Sequence, residues 1–199
     1  PRNVSFSEIA EMHMRWFADE IRKSDRVKQN IKDFSDIEII EHYNLIDKGK
    51  LTNLGVLWLG TASQRSRLVY PLTVQYIVYD ELEKKVRKED WQDYSKNPKE
   101  LLLEIEKEAV ELTYYDEFPL GLFRNKIRHY DARLIRELLI NAIAHKSYTI
   151  SGDIFIKVYQ DRLEILNPGG LPLGITKDNI LHTTYRRNPH LIRILHDLK

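Results

Sequence analysis

The feature that most constrains the fold is a change in the spacing of apolar residues after residue 146. Over 131–146 the apolar residues recur at helical spacing and share one helix face. These residues are Leu134, Ile135, Leu138, Leu139, Ala142 and Ile143. Over 153–159 apolar and polar residues alternate, as in a half-buried strand, and 162–166 is a second short strand. The sequence therefore predicts that residues 134–143 pack on a sheet that includes both strands.

The rest of the chain predicts helices at both ends and further strands between them. Predicted helices cover 7–26, 35–45, 51–59, 98–114, 178–183 and 189–198, and predicted strands cover 68–79 and 123–129. Residues 81–91 are predicted to form a charged connection. We therefore expect an α+β fold, in which a helical connector over 1–66 precedes a two-layer sandwich over 67–199. The sandwich would be a mixed sheet with helices on one face.

Composition narrows the chemistry. The chain has no cysteine, which excludes disulfides, zinc–thiolate sites and thiol nucleophiles. Its apolar runs are too short for a membrane span, so we expect no membrane contact and a cytoplasmic location. The net charge is +1, but residues 120–199 carry +6 and residues 1–119 carry −5. A basic C-terminal part favours an anionic ligand such as nucleotide phosphates, and an uneven solvated surface explains it equally well.

Four polar residues recur every four positions along the helix 131–146, namely Arg133, Glu137, Asn141 and His145. A carboxylate one turn from a carboxamide could place a general base near water and an oxygen ligand on Mg²⁺ beside phosphates. The simpler interpretation is a solvated stripe with one Arg–Glu pair at helical spacing. A metal site at Glu137 and His145 has no visible third ligand.

A glycine loop follows the strand 162–166. Gly169 and Gly170 would let a ligand approach the backbone closely, and Asn167 could present its amide to the edge of a base. The same residue types also form ordinary turns, so this segment alone is compatible with either interpretation.

The last predicted helix is preceded by two arginines. Arg186 and Arg187 lie next to Asn188, a suitable helix cap, and Pro189, a suitable first helical residue. Guanidinium groups at a helix N-terminus can bind phosphate together with free backbone N–H groups. An ordinary capped helix with exposed arginines is the alternative.

The order of these elements resembles the GHKL ATPase fold of gyrase and the sensor histidine kinases. More closely, the runs RELLINAIAHKSY, GDIFIKVYQDRLEILNPGGLP and RRNP resemble the RecG-like ATP-binding domain of transcriptional regulators. In that family an Alba-like DNA-binding domain usually precedes this region. The run KLTNLGVLWLG at residues 50–60 resembles the segment between the two domains. The resemblance covers roughly residues 45–199.

The resemblance implies roles for the matched positions. Glu137 matches the residue that polarises water, and Asn141 matches the residue that coordinates Mg²⁺. Asn167 and Gly169 fall where these ATPases have Asp-x-Gly at the adenine. Leu171 replaces the second glycine of that motif, and the segment from Arg186 replaces a glycine-rich phosphate loop. We also expect His145, Gly170, Arg187 and Asn188 to contact the nucleotide.

Three functions follow from these observations. The first is an ATP-binding module of a DNA-binding transcriptional regulator, with ATP and Mg²⁺ as ligands and weak hydrolysis. The second is a degenerate domain for dimerisation or sensing without ATP hydrolysis. The third is direct DNA binding by the helices of 7–59. The net negative charge of this region argues against it, because DNA is itself negatively charged. Because the chain starts with Pro1, we expect it to be cut from a longer protein whose DNA-binding domain lies outside it. No helicase motif is present, so the sequence does not support helicase activity.

Overall fold

The computed structural model describes residues 11–120, 123–180, 182–183 and 185–199. The helices are α1 Glu11–Lys23, α2 Gln29–Lys32, α3 Asp36–His42, α4 Asn53–Leu59, α5 Ala62–Arg65, α6 Pro98–Glu108, α7 Ala132–His145 and α8 Pro189–Asp197. The strands are β1 Ile46–Asp47, β2 Lys50–Leu51, β3 Val74–Tyr79, β4 Lys85–Trp91, β5 Tyr115–Leu120, β6 Phe123–Arg128, β7 Ile154–Val158 and β8 Leu163–Leu166. A 3₁₀ turn, Val110–Thr113, follows α6.

The central sheet has the order β4-β3-β7-β8. Strands β3 and β7 are parallel, and the other two pairs are antiparallel. Ile154, Ile156 and Val158 are buried, and they share one hydrophobic core with Leu139 and Ile143 of α7. The predicted α+β fold, with a mixed sheet carrying helices, is confirmed.

The hydrophobic core continues from the sheet into the N-terminal helices. Phe17 and Trp58 belong to the same buried cluster as the sheet residues, and so do Leu191 and Ile194 of α8. A polar contact also joins the two parts, because the hydroxyl of Tyr43 donates to Asp197 Oδ2 at 2.7 Å. Helix α8 therefore packs on α7 and also holds the N-terminal helices.

Capping residues fix where the helices begin. Thr52 Oγ1 accepts from the N–H of Gly55 at 2.9 Å, and Asn97 caps α6, whose first residue is Pro98. Asp131 Oδ1 accepts from the N–H groups of Arg133 at 2.8 Å and Leu134 at 3.1 Å. The predicted starts of α6 and α7 are confirmed to within one residue, and α4 begins at Asn53, two residues after its predicted start.

Several predicted elements differ from the observed ones. The charged connection over 81–91 contains strand β4, because pairing with β3 stabilises a strand whose own residues favour solvent. The strand predicted over 68–79 begins only at Val74, and the helix predicted to 114 ends at Glu108. Strand β5 was not predicted. Of the helix predicted over 7–26, the first part lies outside the described residues.

The short helix predicted over 178–183 is instead a turn at 177–180. Thr176 and Asn179 close it reciprocally. The N–H of Thr176 donates to Asn179 Oδ1 at 2.7 Å, and the N–H of Asn179 donates to Thr176 Oγ1 at 3.3 Å. The same reciprocal bonding marks the start of helices, so this segment carries a helix-start signal but forms only a single turn over the described residues.

Candidate functional site

Helix α7 carries the polar stripe on a surface-facing side. Glu137 and Asn141 are exposed, and His145 is half-buried at the last turn. The opposite face holds Ile135 and Leu139 in the core. Leu134, predicted to be on the apolar face, is 53% exposed because it lies at the edge of that face, in the first turn.

The C-terminal end of α7 is held by the residues that precede α8. Asn188 Nδ2 donates to the carbonyls of Ala144 at 2.9 Å and Lys146 at 2.8 Å. The expected role of Asn188 as a side-chain cap of α8 is therefore wrong, since its amide makes no bond to that helix. It instead satisfies carbonyl groups that a helix C-terminus leaves free.

Arg187 joins the end of α7 to the glycine loop. Its Nη1 donates to the carbonyl of His145 at 3.3 Å, and its Nη2 donates to the carbonyl of Gly170 at 2.8 Å. A guanidinium group has five N–H donors, so these two contacts leave others for a ligand. Arg187 thus fixes the loop after β8 beside α7.

A cleft of about 770 Å³ lies between the end of α7 and this loop. It is lined by His145, Asn167, Gly169, Gly170, Leu171, Pro172, Ile175, Ile180, Thr183, Tyr185 and Arg187. The volume falls in the range of about 300–1,000 Å³ that is common for small-molecule sites. Five of the nine predicted site residues therefore line one cleft.

The motifs of the sequence do not indicate the apolar wall of this cleft. Leu171 and Tyr185 are about half exposed, and Ile175 and Ile180 stand between them along the chain. Exposed large apolar residues close to two polar motifs are the signal that could have identified this wall.

Asn167 has an unsatisfied polar atom at the edge of the cleft. Its Oδ1 is buried and has no hydrogen-bond partner among the described residues. Leaving such an atom unpaired costs about 1–3 kcal/mol. A half-turn about the last side-chain torsion exchanges Oδ1 and Nδ2, so the carboxamide can present an acceptor to the cleft.

The two loop glycines have different surroundings. Gly169 has φ +93°, and a Cβ there would lie 2.7 Å from Ile150 Cδ1. A Cβ at Gly170 would meet no atom within 4 Å. Only Gly169 therefore requires glycine for its backbone conformation, and Gly170 leaves open space beside the cleft.

The titratable groups at this end of α7 are shifted by burial. Burial, and next the nearby charge of Arg187, lowers the pKa of His145, so its imidazole is neutral at pH 7. Burial also lowers the pKa of Lys146, against an opposing attraction from Asp153. Lys146 Nζ has no hydrogen-bond partner among the described residues and lies 5.2 Å from the centre of the Tyr148 ring.

The remaining predicted residues lie outside this cleft. Glu137 lines a different cavity and forms an ion pair with Lys199. Glu137 is eight residues before His145, which corresponds to about 12 Å along the helix. Asn141 and Arg186 are exposed and make no side-chain hydrogen bond to another described residue. No group of three or more potential metal ligands occurs among the residues that the structure describes.

One comparison with known proteins names a class of domain. The last quarter of the chain, residues 152–199, matches a family model described as "Putative ATP-dependent DNA helicase recG C-terminal". This match supports an ATPase-like domain related to RecG, and it includes the cleft residues from Asn167 to Arg187. A search of curated proteins finds no match.

A solved structure shares the fold. It is the DIP2311 protein from Corynebacterium diphtheriae, with 18% sequence identity and a TM-score of 0.72. The similarity covers 98% of this chain and 37% of that one, so the chain spans just over a third of its relative's length. In the described part of the chain, no helix has the length and apolar character needed to cross a bilayer.

Proposed function

We propose that this domain binds an adenine nucleotide in the cleft between the end of α7 and the loop after β8. The observation that carries the proposal is that Asn167, whose buried Oδ1 has no hydrogen-bond partner among the described residues, lines this cleft. The exocyclic amino group of adenine could donate the hydrogen bond that this carboxamide oxygen lacks. The family match over residues 152–199 supports a nucleotide as the ligand class.

The surrounding side chains suit a base. Leu171, Ile175 and Tyr185 supply apolar surface for its faces, and neutral His145 can accept a further hydrogen bond. A carboxamide accepts less strongly than the carboxylate of the Asp-x-Gly pattern, because it carries no charge. We therefore expect weaker adenine binding than in ATPases that have an aspartate there.

Two arginines and Asn141 would contact the phosphates of the nucleotide or the Mg²⁺ bound to them. Arg187 has donors beyond those used on carbonyls, and Arg186 is exposed next to it. Asn141 would hold Mg²⁺ through its carboxamide oxygen, with nucleotide phosphates and water as the other ligands. Mg²⁺ bound there would neutralise phosphate charge.

A second candidate is a nucleotide-sensing or dimerisation module that does not hydrolyse ATP. The ion pair between Glu137 and Lys199 favours it, because it occupies the carboxylate that would polarise water. The two candidate functions predict different phosphate release from the wild-type protein and the Glu137→Gln variant. A hydrolysing domain loses phosphate release by a factor on the order of 10²–10⁴ and keeps nucleotide binding. A binding-only module releases no phosphate even as the wild-type protein.

The wider role rests on the sequence resemblance. We propose that the domain belongs to a DNA-binding regulator, with DNA held by a domain outside this chain, and that two copies pair. Titration of DNA with the longer protein at several salt concentrations tests the first part. Sedimentation with and without ATP tests the second.

Thermal unfolding with adenosine, ADP and ATP in the presence of Mg²⁺ tests nucleotide binding. A ligand at 100 times its Kd adds about 2.7 kcal/mol to the free energy of unfolding. We expect Asn167→Leu to remove this stabilisation. Asn30→Leu changes an exposed asparagine on α2 and should leave it intact. A wild-type protein that none of the three ligands stabilises would refute the proposal.

A further inference from the structure

A second cavity, of about 840 Å³, lies at the N-terminal half of α7. It is lined by Arg26, Glu106, Leu112, Thr113, Arg128, Ala132, Arg133, Leu134, Ile135, Arg136, Glu137 and Lys199. Five of these residues are basic and two are acidic. The cavity therefore has an excess of positive charge, and we call it the basic cavity.

Only part of that positive charge is neutralised locally. Arg136 bonds to both carboxylate oxygens of Glu106, at 2.9 and 3.3 Å, and Lys199 pairs with Glu137. Arg26, Arg128 and Arg133 form no ion pair with a carboxylate in the described part of the chain. Arg26 donates through Nη1 to the carbonyl of His196 at 3.5 Å, and its other N–H groups and the two further guanidinium groups remain for an anion.

Asp131 is close to two of these arginines but is already used. Its carboxylate caps α7 through the N–H groups of Leu134 and Arg133, and these hydrogen bonds lower its pKa most. The charges of Arg133 and Arg128 lower its pKa further. Both guanidinium groups therefore act on the same carboxylate, which is engaged with the backbone.

The basic cavity is distinct from the cleft between the end of α7 and the loop after β8, which we call the nucleotide cleft. The two share no lining residue. The basic cavity shares Arg26, Glu106, Arg136 and Lys199 with a third cavity of about 510 Å³, which extends toward α1 and α6. It therefore adjoins the cavity next to the N-terminal helices and shares no lining residue with the loop after β8.

We infer that the basic cavity binds a small, multiply charged phosphate compound. Guanidinium groups match phosphate oxygens with paired hydrogen bonds and keep their charge at any physiological pH. A concave site with several such groups favours a compact polyanion over a single phosphate. Leu112 and Leu134 give one wall an apolar surface for an organic part of the ligand. The site does not depend on the nucleotide cleft.

Calorimetric titration of the whole chain with inorganic triphosphate tests this inference. We expect one binding site, and we expect the combined change Arg128→Glu and Arg133→Glu to lower the affinity on the order of tenfold or more. Both side chains are exposed, so circular dichroism should show an unchanged fold. Arg67→Glu is the matched control, because Arg67 is exposed and lines none of the three cavities.

Other outcomes overturn the inference. Absence of triphosphate binding does so directly, and so does an equal loss in the Arg67→Glu control, which indicates a general charge effect. Loss of triphosphate binding in Arg186→Glu, a change at an exposed residue that we assign to the phosphate end of the nucleotide, places the anion in the nucleotide cleft. A single-stranded oligonucleotide that displaces triphosphate, and that needs both arginines, assigns the cavity to a nucleic-acid backbone instead of a small ligand.

Discussion

The two ends of helix α7 are held in different ways. At the C-terminal end, side chains of Arg187 and Asn188 donate to backbone carbonyls in a partly buried setting. At the N-terminal end, exposed ion pairs, Arg136 with Glu106 and Glu137 with Lys199, hold the surface. The contacts from distant segments are thus directed hydrogen bonds at the C-terminal end and solvent-screened ion pairs at the N-terminal end, where the cap from Asp131 is local.

Residues that share one face of α7 do not all line the same cavity. Spacing of four residues correctly places Glu137, Asn141 and His145 on one side of α7. Glu137 nevertheless lines the basic cavity, and His145 lines the nucleotide cleft. What surrounds each turn of the helix decides which cavity a side chain serves.

The largest effect is expected at the glycine loop. Gly169→Val introduces a β-branched residue at a positive φ and a close contact with Ile150, so unfolding should become easier by about 1–3 kcal/mol. Gly170→Ala fills open space and should change stability little. Urea unfolding of both variants measures the difference. Equal losses would contradict the account of a loop shaped by Gly169.

Asn188→Ala should have the next largest effect. It removes two hydrogen bonds to α7 carbonyls, which we expect to cost about 1–2 kcal/mol. Arg186→Ala, next to Arg187 in the sequence, should lower the free energy of unfolding by under about 0.5 kcal/mol, because its side chain makes no bond to a described residue. If the two variants unfold alike, the C-terminal end of α7 is not held as described.

Lys146→Met should stabilise the protein by about 1 kcal/mol at pH 7, because it removes a buried ammonium without a hydrogen-bond partner. The folded-state pKa is lowered by burial, so the penalty is fully present below that pKa. As the pH rises toward the ordinary value of 10.5, the native state loses the proton first and the penalty disappears.

Wild-type stability should therefore rise relative to the methionine variant between neutral pH and about pH 10. Unfolding midpoints of both proteins across this interval test the sign. If the difference in unfolding midpoint between the two proteins stays constant or widens as the pH rises, the charge of Lys146 is not the cause of the lower wild-type stability.

Glu137→Gln should have the smallest effect on stability, under about 0.5 kcal/mol. The Glu137 side chain is 49% exposed, and exposed ion pairs contribute little. Chemical unfolding at low and high salt measures it. A loss as large as that of Asn188→Ala would remove the contrast between the two ends.

The sequence predicted those parts of the fold that depend on local signals. Asp131 and Thr52 are capping residues at the starts of helices that the sequence predicted, and the alternation of apolar and polar residues over 153–159 predicted β7. Strand β4 was missed because its residues 85–90 are mostly charged and only pairing with β3 makes them a strand.

The site was predicted in part for the same reason. Sequence motifs identified Asn167 and Arg187, which meet at the cleft. The motif could not show that Asn188 turns to the carbonyls of α7, since that contact joins segments more than 40 residues apart. Nor could it show the basic cavity, whose arginines come from three separate segments of the chain.

The central claim is that one helix separates two binding sites, and a crossed titration tests it most directly. Adenosine and inorganic triphosphate are each titrated into wild-type protein, Asn167→Leu and the Arg128→Glu, Arg133→Glu double variant. We predict that Asn167→Leu loses adenosine binding and retains triphosphate binding, and that the double variant shows the reverse. Loss of both ligands in either variant, or of neither in both, would contradict the claim.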